Sequence, residues 1–190
     1  MKIHKVKDQL YDGAQLHHAF CYENGGPLGA SITYFRGPAA VKDHLVDIED
    51  RLADDFIKSK DMWHFIIEIP GASLTETVLW QRLFITKYID WIRSASTFRI
   101  SRDGDDIMVE GDNPDEAPRK LSVSIATLSR FSGLIHVGIN IEVGKGCPVP
   151  AIGLMDIGID TRFSEYEPAE NFVEEYKDIL NATYKVSEVS

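Results

Sequence analysis

The segment Arg119–Val143, RKLSVSIATLSRFSGLIHVGINIEV, decides the fold class. Side chains alternate across a strand with period two, and two runs in this segment obey that period. In the first, Leu121, Val123, Ile125 and Thr127 alternate with Lys120, Ser122, Ser124 and Ala126. In the second, Ile135, Val137, Ile139, Ile141 and Val143 alternate with His136, Gly138, Asn140 and Glu142. The spacing predicts two adjacent strands with one β-branched face for packing on helices and one small, polar face. A water-facing sheet more often carries long charged side chains, so the polar face reads as the floor of a pocket. Its ligand-orienting groups are expected to be Ser122, Ser124, His136 and Asn140, the few convergent polar groups a small-molecule site needs. The opposing reading is a polar face satisfied by water or by neighbouring strands.

Strands and helices alternate on either side of this segment. Ala30–Arg36 reads as a strand ending at the Gly37-Pro38 break, followed by a helix over Ala40–Asp55 with Val41, Leu45, Ile48 and Leu52 on one face. On that reading, Asp47, Glu49, Asp50, Asp54 and Asp55 form the helix's solvated side. Met62–Ile69 reads as a strand with Trp63, Phe65, Ile67 and Ile69 on one side, and His64, Ile66 and Glu68 on the other. Ser73 and Glu76 form a Ser-x-x-Glu capping box that opens a helix running to about Arg93. Thr97–Ser101 and Asp106–Val109 read as a hairpin around Arg102–Asp105. Pro168 suits the first turn of a last helix whose buried stripe is Phe172, Val173, Tyr176, Ile179 and Leu180. Gly111–Pro118 reads as a surface loop. The class is therefore α+β, a mostly antiparallel sheet with helices packed on one face.

A chain of 190 residues is expected to form one domain over residues 1–190. A net charge of −10 argues against non-specific binding to nucleic acid or anionic membrane. No apolar run approaches the ~20 residues of a membrane span, and MKIHKVKDQL has no apolar core of a secretory signal. Cys21 and Cys147 lack metal or disulfide-framework spacing and suggest a reducing, cytoplasmic setting. Arg36, ending a strand before Gly-Pro, is the expected clamp for a carboxylate or phosphate.

With YDGAQL (Tyr11–Leu16), FRGP (Phe35–Pro38), HLVDIED (His44–Asp50), KLSVSIAT (Lys120–Thr127) and SGLIHVGIN (Ser132–Asn140), the chain resembles an uncharacterised, mainly archaeal family of hypothetical proteins. More remotely it is similar to biotin/lipoate protein ligases and octanoyl transferases, whose fold is related to class II aminoacyl-tRNA synthetases. The order that carries this likeness is Arg36-Gly37, Met62–Ile69, Ser73–Arg93, Asp105-Asp106-Ile107, Lys120–Ala126 and His136-Val137-Gly138. The resemblance implies a catalytic role for Lys120 at an acyl carbonyl and a Mg²⁺-holding role for Asp106, with ATP as cosubstrate. Two positions depart from the ligase pattern. The glycine run is reduced to Arg36-Gly37-Pro38, and Val123 stands where the lysine strand carries glycine.

The resulting expectation is a small-carboxylate-binding domain of acyl-transfer or adenylate-forming type, with an acceptor protein as a further partner. A non-catalytic binding module stays open. So does an oligomerisation protein, a homo-oligomer with Trp80, Trp91 or the acidic helix at its interface.

Overall fold

A computed structural model of the chain describes residues 1–111, 113, 116–161, 166–187 and 189. Asp112, Pro114 and Asp115 of the expected Gly111–Pro118 loop lie outside them. Strands β1 (Lys2–Lys5), β2 (Ser31–Val41), β3 (Ile57–Pro70), β7 (Ser122–Leu128) and β8 (Ser132–Glu142) form one sheet in the order β1-β2-β3-β8-β7. All its neighbours are antiparallel except β1 and β2. A second, three-stranded sheet contains β4 (Ile100–Asp103), β5 (Asp106–Val109) and β6 (Arg119–Lys120). The α+β class with a mainly antiparallel sheet is as the sequence predicts.

One face of the large sheet carries Ile32, Trp63, Phe65, Ile67, Ile135, Val137 and Ile139, all buried. Helices α3 (Leu74–Ala95) and α4 (Glu167–Thr183) cover it through Phe84, Ile85, Tyr88, Phe172 and Val173. Each fully buried side chain of this size contributes about 1.5–3 kcal/mol. The capping box is present: Ser73 Oγ accepts from Glu76 N, and Glu76 Oε2 accepts from Ser73 N at 2.7 Å. Pro168 sits in the first turn of α4. Trp80 packs on Phe172 and Tyr176, while Trp91 is buried and its Nε1 donates to Glu167. Both tryptophans are thus engaged within the chain.

The other face is covered by the N-terminal segment. Residues 6–11 run beside β2, with Val6 N donating to Tyr34 O and Tyr11 N to Pro38 O. Val6, Tyr11 and Phe20, the last in α1 (Phe20–Glu23), pack there on Phe35, Val41 and Ile66. Glu68, on the same face, holds the segment down. It accepts from Ser132 Oγ at 2.7 Å and Ala19 N at 3.0 Å, and contacts His18 Nδ1 at 2.6 Å.

Two expectations fail. Strand β2 does not stop at Arg36 but continues to Val41, absorbing Pro38 at an irregularity between Gly37 and Ala39. A proline costs no ladder bond at such a bulge. The helix over Ala40–Asp55 shrinks to α2 (Ile48–Leu52), capped by Asp47. Val41 belongs to β2, and Ile48 and Leu52 are 70% and 83% exposed, so the apolar spacing had no core to face.

Candidate functional site

Antiparallel partners share a face, and the register fixes which side chains meet. On β3 and β8, Met62 pairs with Asn140, His64 with Gly138 and Ile66 with His136. On β7 and β8, Val123 pairs with Gly138 and Ile125 with His136. These residues face away from α3 and α4. At one end of this face lies a cavity of about 300 Å³, within the range of small-ligand sites. Its lining includes Tyr11, Lys120, His136, Asn140, Asp106 and Cys147. Both cysteines are unbridged.

The floor is a stacked aromatic group. Tyr11, set by its backbone pairing to Pro38 and Ala40, lies over His136 with ring centroids 3.8 Å apart. His136 Nε2 is 3.1 Å from His64 Nδ1, and His64 Nε2 is 3.2 Å from Gly37 O. A carbonyl only accepts, so His64 carries its proton on Nε2 and leaves Nδ1 bare. His136 must then donate from Nε2, and its Nδ1 is a bare acceptor. No described residue hydrogen-bonds that Nδ1. Burial pushes both imidazoles toward the neutral form, His64 down to about 4 and His136 well below the ordinary histidine value, with His64 further opposing charge on His136. Burial also raises the Tyr11 phenol, with Asp12 adding to the effect.

Lys120 forms one wall. Its Nζ lies 2.9 Å from Asp106 Oδ2. Burial raises the Asp106 carboxyl above the ordinary carboxylate value, and the lysine opposes that shift. Asn140 lines the cavity with its amide already engaged, Oδ1 accepting from Ser59 Oγ at 2.8 Å and Nδ2 reaching Lys120 O. The lining holds six carboxylates (Asp47, Glu49, Asp50, Asp55, Asp105, Asp106) against two lysines (Lys58, Lys120). Of the acidic residues expected on a solvated helix, Asp47, Glu49, Asp50 and Asp55 also edge the cavity, while Asp54 is exposed and pairs with Lys42. Among the described residues, no group of three or more His, Cys, Asp or Glu is arranged to hold a metal ion.

The expected polar floor is partly misassigned. Ser122 and Ser124 pair with Ile139 and Val137, so they point toward α3, and Val123 and Ile125 share the side of His136. The chain crosses between the two sheets at Leu121, and a one-residue change of pairing exchanges faces. Both serines touch the cavity edge, yet their hydroxyls serve the fold. Ser122 Oγ accepts from Ile107 N, and Ser124 Oγ bonds Gln81 and Asp105. Arg36 is further off. It pairs with Trp63 on the helix-side face, and its Nε donates to Asp61 at 3.0 Å. Gly37 does not open room for a phosphate: a Cβ there would lie 1.9 Å from Gln9 O. Tyr11 and the His64 tautomer chain were not legible as site features, because the contacts join distant parts of the sequence.

The fold defines the class first. A biotin protein ligase from Aquifex aeolicus superposes with a TM-score of 0.56 at 14% identity, over 98% of this chain and 73% of the ligase. A lipoate protein ligase from Thermoplasma acidophilum gives 0.53 at 9% identity, over 95% and 85%. The chain has the biotin/lipoate ligase-like fold. Residues 1–187 match the family described as "Domain of unknown function (DUF366)", and the chain belongs to that family. A protein of unknown function from Pyrococcus horikoshi is 34% identical, with a TM-score of 0.87 over 99% of this chain and 100% of its own. The uncharacterized protein MJ0805 of Methanocaldococcus jannaschii is 33% identical over 166 residues, 84% of this chain and 72% of that protein.

Proposed function

We propose that the chain binds a small carboxylic acid or its acyl derivative in the cavity beside β8, as a domain of acyl-transfer type. The observation that supports this most is the position of Lys120 Nζ at the cavity wall, 2.9 Å from Asp106. A ligand carboxyl or carbonyl oxygen that displaces or shares that carboxylate meets a preset ammonium. During attack on the carbonyl, the ammonium offsets the charge gathering on oxygen, a large contribution in water-poor sites. Asn140 and Ser59 hold the wall behind it. An acyl-transfer reaction implies an acceptor, which a protein with a modifiable side chain would supply.

The residues do not fit a nucleoside triphosphate at the ligase phosphate position. Arg36 is held by Asp61 on the other face, Pro38 donates no N–H, and the cavity carries surplus negative charge. No Mg·ATP-dependent step is therefore derived, and Asp106 is read as the partner of Lys120. The same observations favour, as a second reading, a binding module without chemistry.

Thermal unfolding with lipoate, octanoate, biotin and amino acids, each with and without Mg·ATP, tests the reading. A ligand at a hundredfold excess over its Kd stabilises the folded state by about 2.7 kcal/mol. The expected result is a shift with at least one acid that is lost in Lys120→Ala and indifferent to nucleotide. A shift that needs Mg·ATP would restore adenylate formation. No shift with any acid, in a folded protein, would refute the reading.

A further inference from the structure

Two features of the cavity call for the same chemistry. At its floor, His136 is 2% exposed and neutral, with a bare Nδ1 that no described residue satisfies. This Nδ1 is not among the fully buried unpartnered polar atoms, so it is accessible, and an N–H or O–H donor from a ligand can meet it. A carboxylate offers none. At its edge, Glu49, Asp50 and Asp55 have no ion-pair or hydrogen-bond partner for their carboxylates among the described residues, whereas Asp105 and Asp106 are held by Arg82 and Lys120. Lys58 lines the same cavity, and Lys120 acts on Asp50 through space. A simple anion entering this cavity meets Lys120 on one wall and excess negative charge elsewhere.

We infer that the cavity takes a small ligand bearing a protonated amine, which donates an N–H to His136 Nδ1 and whose charge the edge carboxylates balance. Resting on the small-acid reading above, this makes the substrate class amino acids or ω-amino acids, not plain fatty acids. The carboxyl end faces Lys120 and the amino end faces the histidine and the acids. The Tyr11 ring, stacked on His136, also lines the cavity. Burial first, then Asp47 and Asp55, raise the Asp50 carboxyl while Lys120 opposes them, and a ligand cation beside it acts in the same sense as Lys120.

The test uses three probes on one carbon skeleton, hexanoate, hexylamine and 6-aminohexanoate, titrated into the full-length protein by calorimetry. The expected result is that 6-aminohexanoate and hexylamine bind at least about tenfold tighter than hexanoate, the effect of one charge-assisted hydrogen bond. His136→Phe and, separately, Asp50→Asn should each weaken hexylamine binding, and Asp50→Asn, which removes a negative charge, should not weaken hexanoate. Asp50 lies at the cavity edge outside the core, so that variant keeps the test valid if His136→Phe fails to fold. Hexanoate binding as tightly as 6-aminohexanoate would overturn the inference and leave the small-acid reading standing. Hexylamine binding with no gain from the added carboxylate would uphold the inference and refute the small-acid reading. No heat with any probe at millimolar concentration would overturn the inference.

Discussion

Lowering the pH from 7 to 5 should destabilise the protein through the buried imidazole pair of His64 and His136. His64 has an ordinary value of 6.5 in the unfolded chain and about 4 in the fold, because burial disfavours its charged form. Between those values the unfolded chain takes up a proton that the folded protein refuses. Stability therefore rises with pH across this window, is complete above the unfolded value, and is lost as pH falls toward the folded one. For His64 alone the loss between pH 7 and pH 5 is about 2 kcal/mol. His136, shifted in the same direction by burial and by His64, adds to it. Asp50 and Asp106 have the opposite sign, since their raised carboxyls bind protons first in the fold. The assay is urea unfolding at pH steps from 7 to 5, comparing the protein with His64→Gln, whose amide can donate to Gly37 O and accept from His136. The carboxylate contributions are common to both proteins and cancel in the difference. The protein should lose about 2 kcal/mol more than the variant. Parallel pH curves for the two would refute the neutral buried pair, and with it the tautomer assignment that leaves His136 Nδ1 open.

Other perturbations follow from named contacts and are read by the same denaturant unfolding. Glu68→Ala strips a buried carboxylate from Ser132 Oγ and Ala19 N and should cost about 3 kcal/mol; a loss below 1 kcal/mol would show that the N-terminal segment is held by packing alone. Gly37→Ala drives a methyl into the Gln9 carbonyl and should destabilise by about 2 kcal/mol, whereas an unchanged midpoint would deny that close approach. Ala19→Gly should stabilise by up to about 1 kcal/mol, because Ala19 sits at a left-handed φ of 64°; a loss of stability would mean that chain entropy outweighs the strain relieved.

How much of this was legible in the sequence depended on whether a feature was local. The alternation in β8, the Ser73–Glu76 box of α3 and the hairpin at Asp105 are written in neighbouring residues, and all three appear. The helix expected over Ala40–Asp55 shows the limit of periodicity: its spacing was right, but nothing lies against Ile48 and Leu52. Faces within β7 and β8 were separately legible, while their mutual register was not. Leu121 passes between two sheets, which puts Ser122 and Ser124 opposite Ile139 and Val137, respectively, instead of beside His136. Arg36 failed for the same reason, since only the pairing with Trp63 reveals its face. The Tyr11–His136–His64 stack joins residues as far as 125 positions apart in the sequence, and no local pattern announces it.

The central claim is that the cavity beside β8 is the ligand site, and locating a bound acid tests it most directly. Backbone and imidazole resonances should be followed while 6-aminohexanoate and then octanoate are titrated into the labelled protein. The account predicts shifts concentrated at Lys120, Asp106, Asn140 and Tyr11 with a change at His136 Nδ1, and Arg36 silent. Shifts confined to the acidic groove between α3 and α4, at Asp90, Glu174 and Asp178, would contradict it.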